Sequence, residues 1–388
     1  MKILYIDYNM FGKEDIIGAF IKLGHEVEIV DAPLRFGENS VKTRQILQNT
    51  IHKKEYDVVF TSNYYPMVSN ICNAVSVNYV SWTYDSPRIV LYDRSINNQC
   101  NYAFVFDSEE CRRLRGRGVE RVYYMPLGVN TERVDSIVIA DRDKRLFSTD
   151  VSIVASLYNE EHNLYDRMYS KVDDYTKGYL EALVNAQRNV FGGNILEASL
   201  DDTIIDVLKQ YAPYELDKEC LADHRYIYAN YFLARKTATY QRKDFIRSIS
   251  EKYELKVYTP GDIKDIPNAI HMGTVDYNTD MNKVFKLSKI NINITLPSIR
   301  SGIPLRALDI MGAGGFLLTD YRADFEGALE PGVDYVYYTD IDDAMYKIEY
   351  YLNHEKARAV IAGNGKQKVE QGFTYMARIK DMLEIVNE

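Results

Sequence analysis

Several kinds of chemistry are excluded by what this chain lacks. Its four cysteines, Cys72, Cys100, Cys111 and Cys220, form no CxxC pair, so neither a zinc site nor a disulfide framework is indicated. They read as buried free thiols, and no other group of residues has metal-ligand spacing. No apolar run reaches the length of a membrane span, and MKILYID enters a strand directly rather than a secretory leader. A cytoplasmic protein with no integral membrane segment is expected. The loop after that first strand, YNMFGKED, holds a single glycine instead of GxGxxG, which weakens a dehydrogenase reading. Basic charge is also short. With 47 Lys and Arg against 56 Asp and Glu the net charge is −9, which argues against nucleic acid as the main partner. The run RRLRGRGVER, Arg112 to Arg121, is the local exception. It reads as a solvated helix end, with a membrane-surface or acidic-acceptor role as the lesser alternative.

What is present describes a large α/β protein. A chain of 388 residues exceeds one ordinary core, so two domains are expected. Lys2 to Asp7 is a buried strand, Ile16 to Leu23 a helix, and GHEVEIVD a second strand. His25 in that phrase is a helix-to-strand turn residue. Strand patterns recur at Asp57 to Ser62, Val77 to Trp82, Tyr102 to Asp107 and Arg121 to Pro126, mostly separated by helical patterns. That alternation predicts a doubly wound parallel sheet. The first domain is placed at 1–135, a charge-rich linker at 136–149, and a second domain at 150–370, opening on the strand DVSIVASLY. Residues of about 164–251 are almost wholly helical in pattern and read as an insertion in the second domain. It would shape the acceptor entrance or form an oligomer contact, which leaves a homodimer open. The 33 tyrosines sit largely at strand or helix spacing and read as core and surface filler.

The stretch that carries chemistry is KININITLPSIRSGIPLRALDIMGAGGFLLTD, Lys289 to Asp320. It reads as a strand, a loop with Arg300, Ser301 and Gly302, a helix from Pro304 to Met311, a turn of Gly312, Gly314 and Gly315, and a second strand from Phe316 to Thr319. A ligand of such a βαβ unit binds at the strand's C-terminal end, where the helix N-terminus suits a phosphate. Arg300 and Arg306 flank it and match phosphate oxygens bidentately. Asp309 is placed to accept hydrogen bonds from a vicinal diol such as a ribose. Phosphate plus diol indicates a nucleotide.

These residues resemble the donor site of GT-B glycosyltransferases. GIPLRALDIMGAGGFLLTDY is similar to the CgeB-like (spore maturation protein) branch, with its G-x-P-x-R-x-x-E/D-x-x-G-A-G-G character, and W-x-x-D-S-P at Trp82 to Pro87 belongs to the same pattern. The resemblance implies two Rossmann-like domains facing across a cleft, with the nucleotide-sugar on the second and the acceptor on the first. It spans nearly the whole chain and is weakest in the helical region. The wider retaining group has two glutamates around this loop. Asp309 matches the second, whereas Ser301 stands near the place of the first. That group also carries an arginine and a lysine for the diphosphate near NEEHN, where this chain has neither, and Arg300 or Arg306 is expected to supply that charge. His162 in NEEHN reads as a surface residue.

By the same resemblance Gly128 and Asn130 of MPLGVNTERV approach the donor phosphates, and the loop of Gly273 and Tyr277 holds the base. Core packing is an equal alternative for Tyr277. Trp82 and Asp85 are a candidate sugar-stacking and hydroxyl-binding pair, the alternative being an Asx turn ahead of Pro87. Asp85, or Asp7 at the first strand's end, is the candidate base of an inverting reaction. A retaining reaction needs none, and the resemblance leans that way. The final helix, 371–388, is expected to return to the first domain. The function implied is transfer of a hexose or N-acetylhexosamine from a nucleoside diphosphate donor, UDP foremost, to a surface glycan or protein. It would need no metal and no cofactor beyond the UDP-sugar substrate. A non-catalytic nucleotide-sugar-binding or assembly protein and an epimerase of the same fold are the alternatives.

Overall fold

A computed structural model describes residues 1–34, 40–53, 55–161 and 163–387, so His162 lies outside the described residues. The chain divides into two compact units. The first comprises Met1–Asn130, Asp217–Leu221 and Gln371–Glu388, and the second comprises Thr131–Leu216 and Ala222–Glu370.

The first unit is built on six parallel strands: β1 (Lys2–Asp7), β2 (Glu26–Asp31), β3 (Val58–Ser62), β4 (Asn78–Thr83), β5 (Asn101–Val105) and β6 (Val122–Tyr124), in the order β2-β1-β3-β4-β5-β6. Every residue of β3 is buried. Both faces of a parallel sheet are covered by its crossover helices, so an inner strand reads as an unbroken apolar run. The order reverses between β1 and β3, and the loops leaving those two strands flank the switch point where ligands of open α/β sheets bind.

The second unit repeats the plan with β7 (Thr149–Val154), β8 (Leu255–Tyr258), β9 (Ile270–Gly273), β10 (Ser288–Asn293), β11 (Leu317–Asp320) and β12 (Val336–Tyr338), in the order β12-β11-β10-β7-β8-β9. Its core gathers Val151, Ile153, Val257, Ile290, Ile292 and Leu318 from the strands with Phe245, Ile246 and Ile249 from the helix Ala234–Ser250. Here the order reverses between β7 and β10, so the switch point lies at the loops after Val154 and Asn293.

Several expected elements shift. Residues 136–149, read as a linker, contain the helix Asp141–Phe147 and the first residue of β7. The charges that suggest a linker are its solvated face, while Phe147 is buried and Asp143 accepts the Ala140 N–H at 3.0 Å. Between β7 and β8 the insertion is helical, but Asp217–Leu221 groups with the first unit, where the Leu221 N–H donates to the Tyr92 carbonyl at 2.7 Å. The helix after β10 runs Leu305–Gly312 with Pro304 as N-cap. Gly312 is its last residue, and of the two glycines that follow only Gly314 has a positive φ, of 76°. Gly315 answers a different need, since a Cβ there would lie 2.7 Å from the Phe285 carbonyl oxygen. The last helix, Tyr375–Asn387, packs in the first unit against the helix Lys13–Lys22, and the Val129 N–H donates to the Phe373 carbonyl at 2.9 Å.

Candidate functional site

In the second unit the loop leaving β10 is held from several sides. Asp320, at the end of β11, accepts the Thr295 N–H at 3.0 Å and the Thr295 hydroxyl at 2.6 Å. Arg322 pairs with Asp320 at 2.6 Å, and both side chains are almost wholly buried. The same guanidinium donates to the carbonyl of Ile299 at 2.6 Å. The insertion adds the Asn194 amide, from the stretch between two of its helices, which donates to the Pro297 carbonyl at 2.7 Å, and Glu197, which pairs with Arg300. Arg242 donates both to the Ser156 carbonyl after β7 and, at 2.9 Å, to the Ile294 carbonyl after β10. Buried charges persist only when paired and hydrogen-bonded, so this network holds one backbone path at the switch point.

On that platform sits Asp309. It is buried, with Oδ1 accepting the Tyr277 hydroxyl at 3.1 Å and Oδ2 facing Arg306 Nη1 at 3.3 Å. Arg306 lies over the Phe285 ring, 5.5 Å from its centroid. Pro304 provides no side-chain cap for the helix; its carbonyl accepts the Ala307 N–H at 2.9 Å, which leaves the N–H groups of Leu305 and Arg306 to other acceptors. Gly273, in a left-handed conformation with φ of 71°, ends β9 and starts the loop to Tyr277. Ser301 and Gly302 are buried in the loop itself, and the Ser301 carbonyl accepts the Asp324 N–H at 3.0 Å. The structure thus brings Arg306, Asp309 and Tyr277 together, and gives Arg300 an acidic partner that sequence reasoning missed. It also adds Arg133, whose guanidinium lies over the Tyr277 ring and donates to the Asn278 carbonyl at 2.7 Å.

In the first unit the loops after β1, β3 and β4 converge. The Asn63 amide donates to Asp85 Oδ2 at 2.9 Å and to the Tyr8 hydroxyl at 3.2 Å, while its own oxygen accepts the Tyr84 and Asp85 N–H groups at 2.9 and 3.1 Å. Asn63 has a φ of 66°, a conformation asparagine tolerates better than most residues. Arg88 lies 3.9 Å from the Asp85 carboxylate and stacks on Tyr65, whose ring meets Tyr8 edge-on at 5.2 Å. Burial holds the Tyr8 phenol far above its usual value, so it stays neutral. Asp85 is a held but open carboxylate, with 58% of its side chain exposed. Asn63, Tyr8, Tyr65 and Arg88 had no signal in the sequence beyond lying just past strand ends.

Other first-unit residues named from the sequence make contacts within the unit. Trp82, read as a sugar-stacking residue, is fully buried, with Tyr84 and Tyr375 against it at 5.1 and 6.0 Å and its indole N–H directed at the Met125 carbonyl. No ring face is open to a sugar. Asp7, read as an acceptor-site residue, is bound by the Lys13 ammonium at 2.7 Å and the Asn9 N–H at 2.7 Å. Gly128 lies where a Cβ would be 3.1 Å from the Tyr375 nitrogen, and Asn130 donates to buried Asp15 at 2.7 Å. Both are engaged in packing the first unit.

Residues 235–384, which contain the β10–helix–β11 segment and Asp309, match the family model described as "Glycosyl transferase-like". Among solved structures the chain is similar to Alr3699/HepE of Anabaena in complex with UDP-glucose, at 11% identity over 100% of this chain and 99% of that one, with a TM-score of 0.56. A glycosyltransferase of Rickettsia africae matches at 10% identity over 99% and 97%, TM-score 0.54. Sucrose-phosphate synthase of Thermosynechococcus elongatus matches at 13% identity over 100% and 98%, TM-score 0.53. No curated protein matches the chain. The fold is GT-B. In a GT-B protein the two six-stranded parallel sheets are its two Rossmann-like domains. Among the described residues no helix is long and apolar enough to cross a membrane.

Proposed function

We propose that this GT-B protein is a glycosyltransferase that moves a hexosyl or N-acetylhexosaminyl group from a UDP-sugar to a surface glycan or protein. The observation that carries the reading is Asp309, a buried carboxylate one helical turn from an uncapped helix N-terminus, at the switch point of the second sheet. The match of residues 235–384 to the glycosyl transferase-like model covers this segment. The choice of UDP draws on Alr3699/HepE, whose structures hold UDP and UDP-glucose. The W-x-x-D-S-P and G-x-P-x-R-x-x-D-x-x-G-A-G-G segments support the CgeB-like branch, and with it a cytoplasmic enzyme acting with retention.

In this reading Asp309 accepts hydrogen bonds from the ribose diol, and the N–H groups of Leu305 and Arg306 at the helix start face the diphosphate. The bond between the anomeric carbon and the diphosphate oxygen breaks, and a bond from that carbon to the acceptor oxygen forms. Helix N–H groups and arginine meet the charge left on the nucleoside diphosphate, so the proposal includes no metal. The acceptor proton passes to a donor phosphate oxygen, and Asp85 orients the acceptor hydroxyl. A non-catalytic nucleotide-sugar-binding protein is the second reading. It is favoured by buried Ser301, which by the resemblance stands near the place of the first glutamate of the retaining group.

A thermal-shift screen with UDP, GDP, TDP and their sugars tests the donor site. Ligand at a hundred times its Kd stabilises by about 2.7 kcal/mol, and we expect UDP and its sugars to do so. Indifference to all nucleoside diphosphates would reject the reading. A product assay with and without chelator then separates transfer from mere binding and tests the omission of a metal.

A further inference from the structure

Past the end of β7, in the second unit, is a hollow of about 470 Å³ that opens to solvent. The loop after β7 forms one wall. The other is the inserted helix, at the junction where Tyr228–Leu233 is wound as a π-helix and Ala234–Ser250 continues as an α-helix. Single π-turns inside helices are frequent at functional sites, because the extra residue redirects the side chains around it. The loop wall is unusual as well. Tyr158 has a φ of 53°, a left-handed conformation that a bulky residue rarely adopts.

The two walls meet at Arg235. Its guanidinium lies over the Tyr158 ring, 5.6 Å from the centroid, and over the Tyr231 ring at 5.8 Å. Rings engage the flat face of a guanidinium and leave its N–H donors, which lie in the plane, for an acceptor. No carboxylate among the described residues pairs with Arg235, and its buried Nε–H has no hydrogen-bond partner. Arg242 shares the unpartnered Nε–H, but its two terminal nitrogens donate to backbone carbonyls, while Lys236 pairs with Asp166 at 2.7 Å and Arg188 pairs with Asp244. Arg167 and Glu160, both exposed, also line the hollow and bring one charge of each sign. Tyr158 also underlies Arg242 at 5.0 Å, the residue that ties the β7 and β10 loops together.

We propose that this hollow is an oxyanion subsite, in which Arg235 takes a phosphoryl or carboxylate group through its unused N–H donors. The inserted helices, rather than the loop after β10, then supply the cation that meets substrate charge at this switch point, since Arg300 already has Glu197. Only the source of the oxyanion depends on the donor reading. It is the diphosphate of a nucleotide-sugar, or a carboxylate on a sugar or acceptor.

The test is isothermal titration of wild type, R235A and R235K with four probes: uridine, UDP, inorganic pyrophosphate and glucuronate. We expect R235A to weaken an oxyanion probe by about tenfold or more, as for a lost charge-assisted hydrogen bond, while uridine is unchanged. R235K, which keeps the charge but not the fork, falls between. UDP and pyrophosphate weakening together assigns the subsite to the donor diphosphate. Glucuronate weakening with UDP unchanged assigns it to a carboxylated sugar or acceptor. If wild type and R235A bind all four alike, or wild type binds no oxyanion probe, the proposal is overturned. Should R235A be too unstable to purify, R235Q carries the same comparison. A wild type that binds pyrophosphate through Arg235 but ignores uridine and UDP rejects the nucleotide reading and keeps the subsite. Full UDP affinity in R235A, with no pyrophosphate or glucuronate binding to either protein, does the reverse.

Discussion

The hydroxyl of Tyr277 lies 3.1 Å from Asp309 Oδ1, so the loop after β9 and the helix after β10 are joined through the carboxylate assigned to the ribose. A diol entering the site would share or displace that bond. Hydrogen bonds to a charged group contribute about 1.5–3 kcal/mol each. Asp309→Asn should therefore raise the Kd for UDP about ten- to a hundredfold. Tyr277→Phe removes one neutral donor and should change it by less than about tenfold. Titration calorimetry with UDP and with UMP reads both. An unchanged Kd in Asp309→Asn would remove Asp309 from the site.

The buried pair of Asp320 and Arg322 predicts a stability effect away from the ligand. Breaking a buried ion pair by removing one partner leaves a charge with no solvent, at about 3–5 kcal/mol. Arg322→Met should lose about that much in urea denaturation. It should also loosen the loop of Thr295 to Gly302, because the Ile299 carbonyl loses its donor as well. Hydrogen exchange confined to that loop would report it. A loss below about 1 kcal/mol would mean that water reaches Asp320.

Thiol chemistry offers a check that needs no ligand. Burial pushes the Cys100 thiol up to about 11, raises Cys111, and raises Cys72 well above its usual value. Cys220 is half-buried. At pH 8 the thiolate fraction of Cys100 is on the order of one in a thousand. An aromatic disulfide reagent should modify one thiol rapidly in native protein, Cys220, and four after unfolding. The sign of the linked pH effect follows. Above about pH 8.5 the unfolded chain gives up these protons and the folded chain keeps them, so stability falls as pH rises through that window.

How far the sequence alone reaches depends on the range of each interaction. The β10–helix–β11 unit was legible because its signals are local: an apolar strand, a proline at the helix start and a glycine turn. Asp309 followed from its place on that helix. Trp82 misled because β4 is covered on both faces, where alternation carries no information about which side chain meets solvent. The partners of the donor loop were illegible for another reason. Glu197 reaches Arg300 across 103 residues and Arg322 reaches Ile299 across 23, and no periodicity encodes such pairings. The π-turn that carries Tyr231 is likewise invisible to a search for 3.6-residue spacing.

Asp85 gives the sharpest prediction about chemistry. Asn63 holds its carboxylate at 2.9 Å and also binds the N–H groups of Tyr84 and Asp85, so the side chain is aimed by its own loop while more than half of it stays open. A general base contributes about 10²–10⁴-fold when it removes the proton from the nucleophile. A residue that only orients the hydroxyl contributes less and acts largely through KM. In the retaining reading Asp85→Asn should leave the Kd for UDP unchanged and raise the acceptor KM. It should lower kcat by less than about tenfold, and the anomeric configuration seen by NMR should match that of the donor. A kcat loss beyond a hundredfold, with inverted product from wild type, would make Asp85 the base. Asn63→Ala separates the two roles further. It leaves the carboxylate in place but frees its orientation, so a positioning role predicts that the two variants have similar acceptor KM values. A base role predicts that Asn63→Ala retains most of the turnover that Asp85→Asn loses.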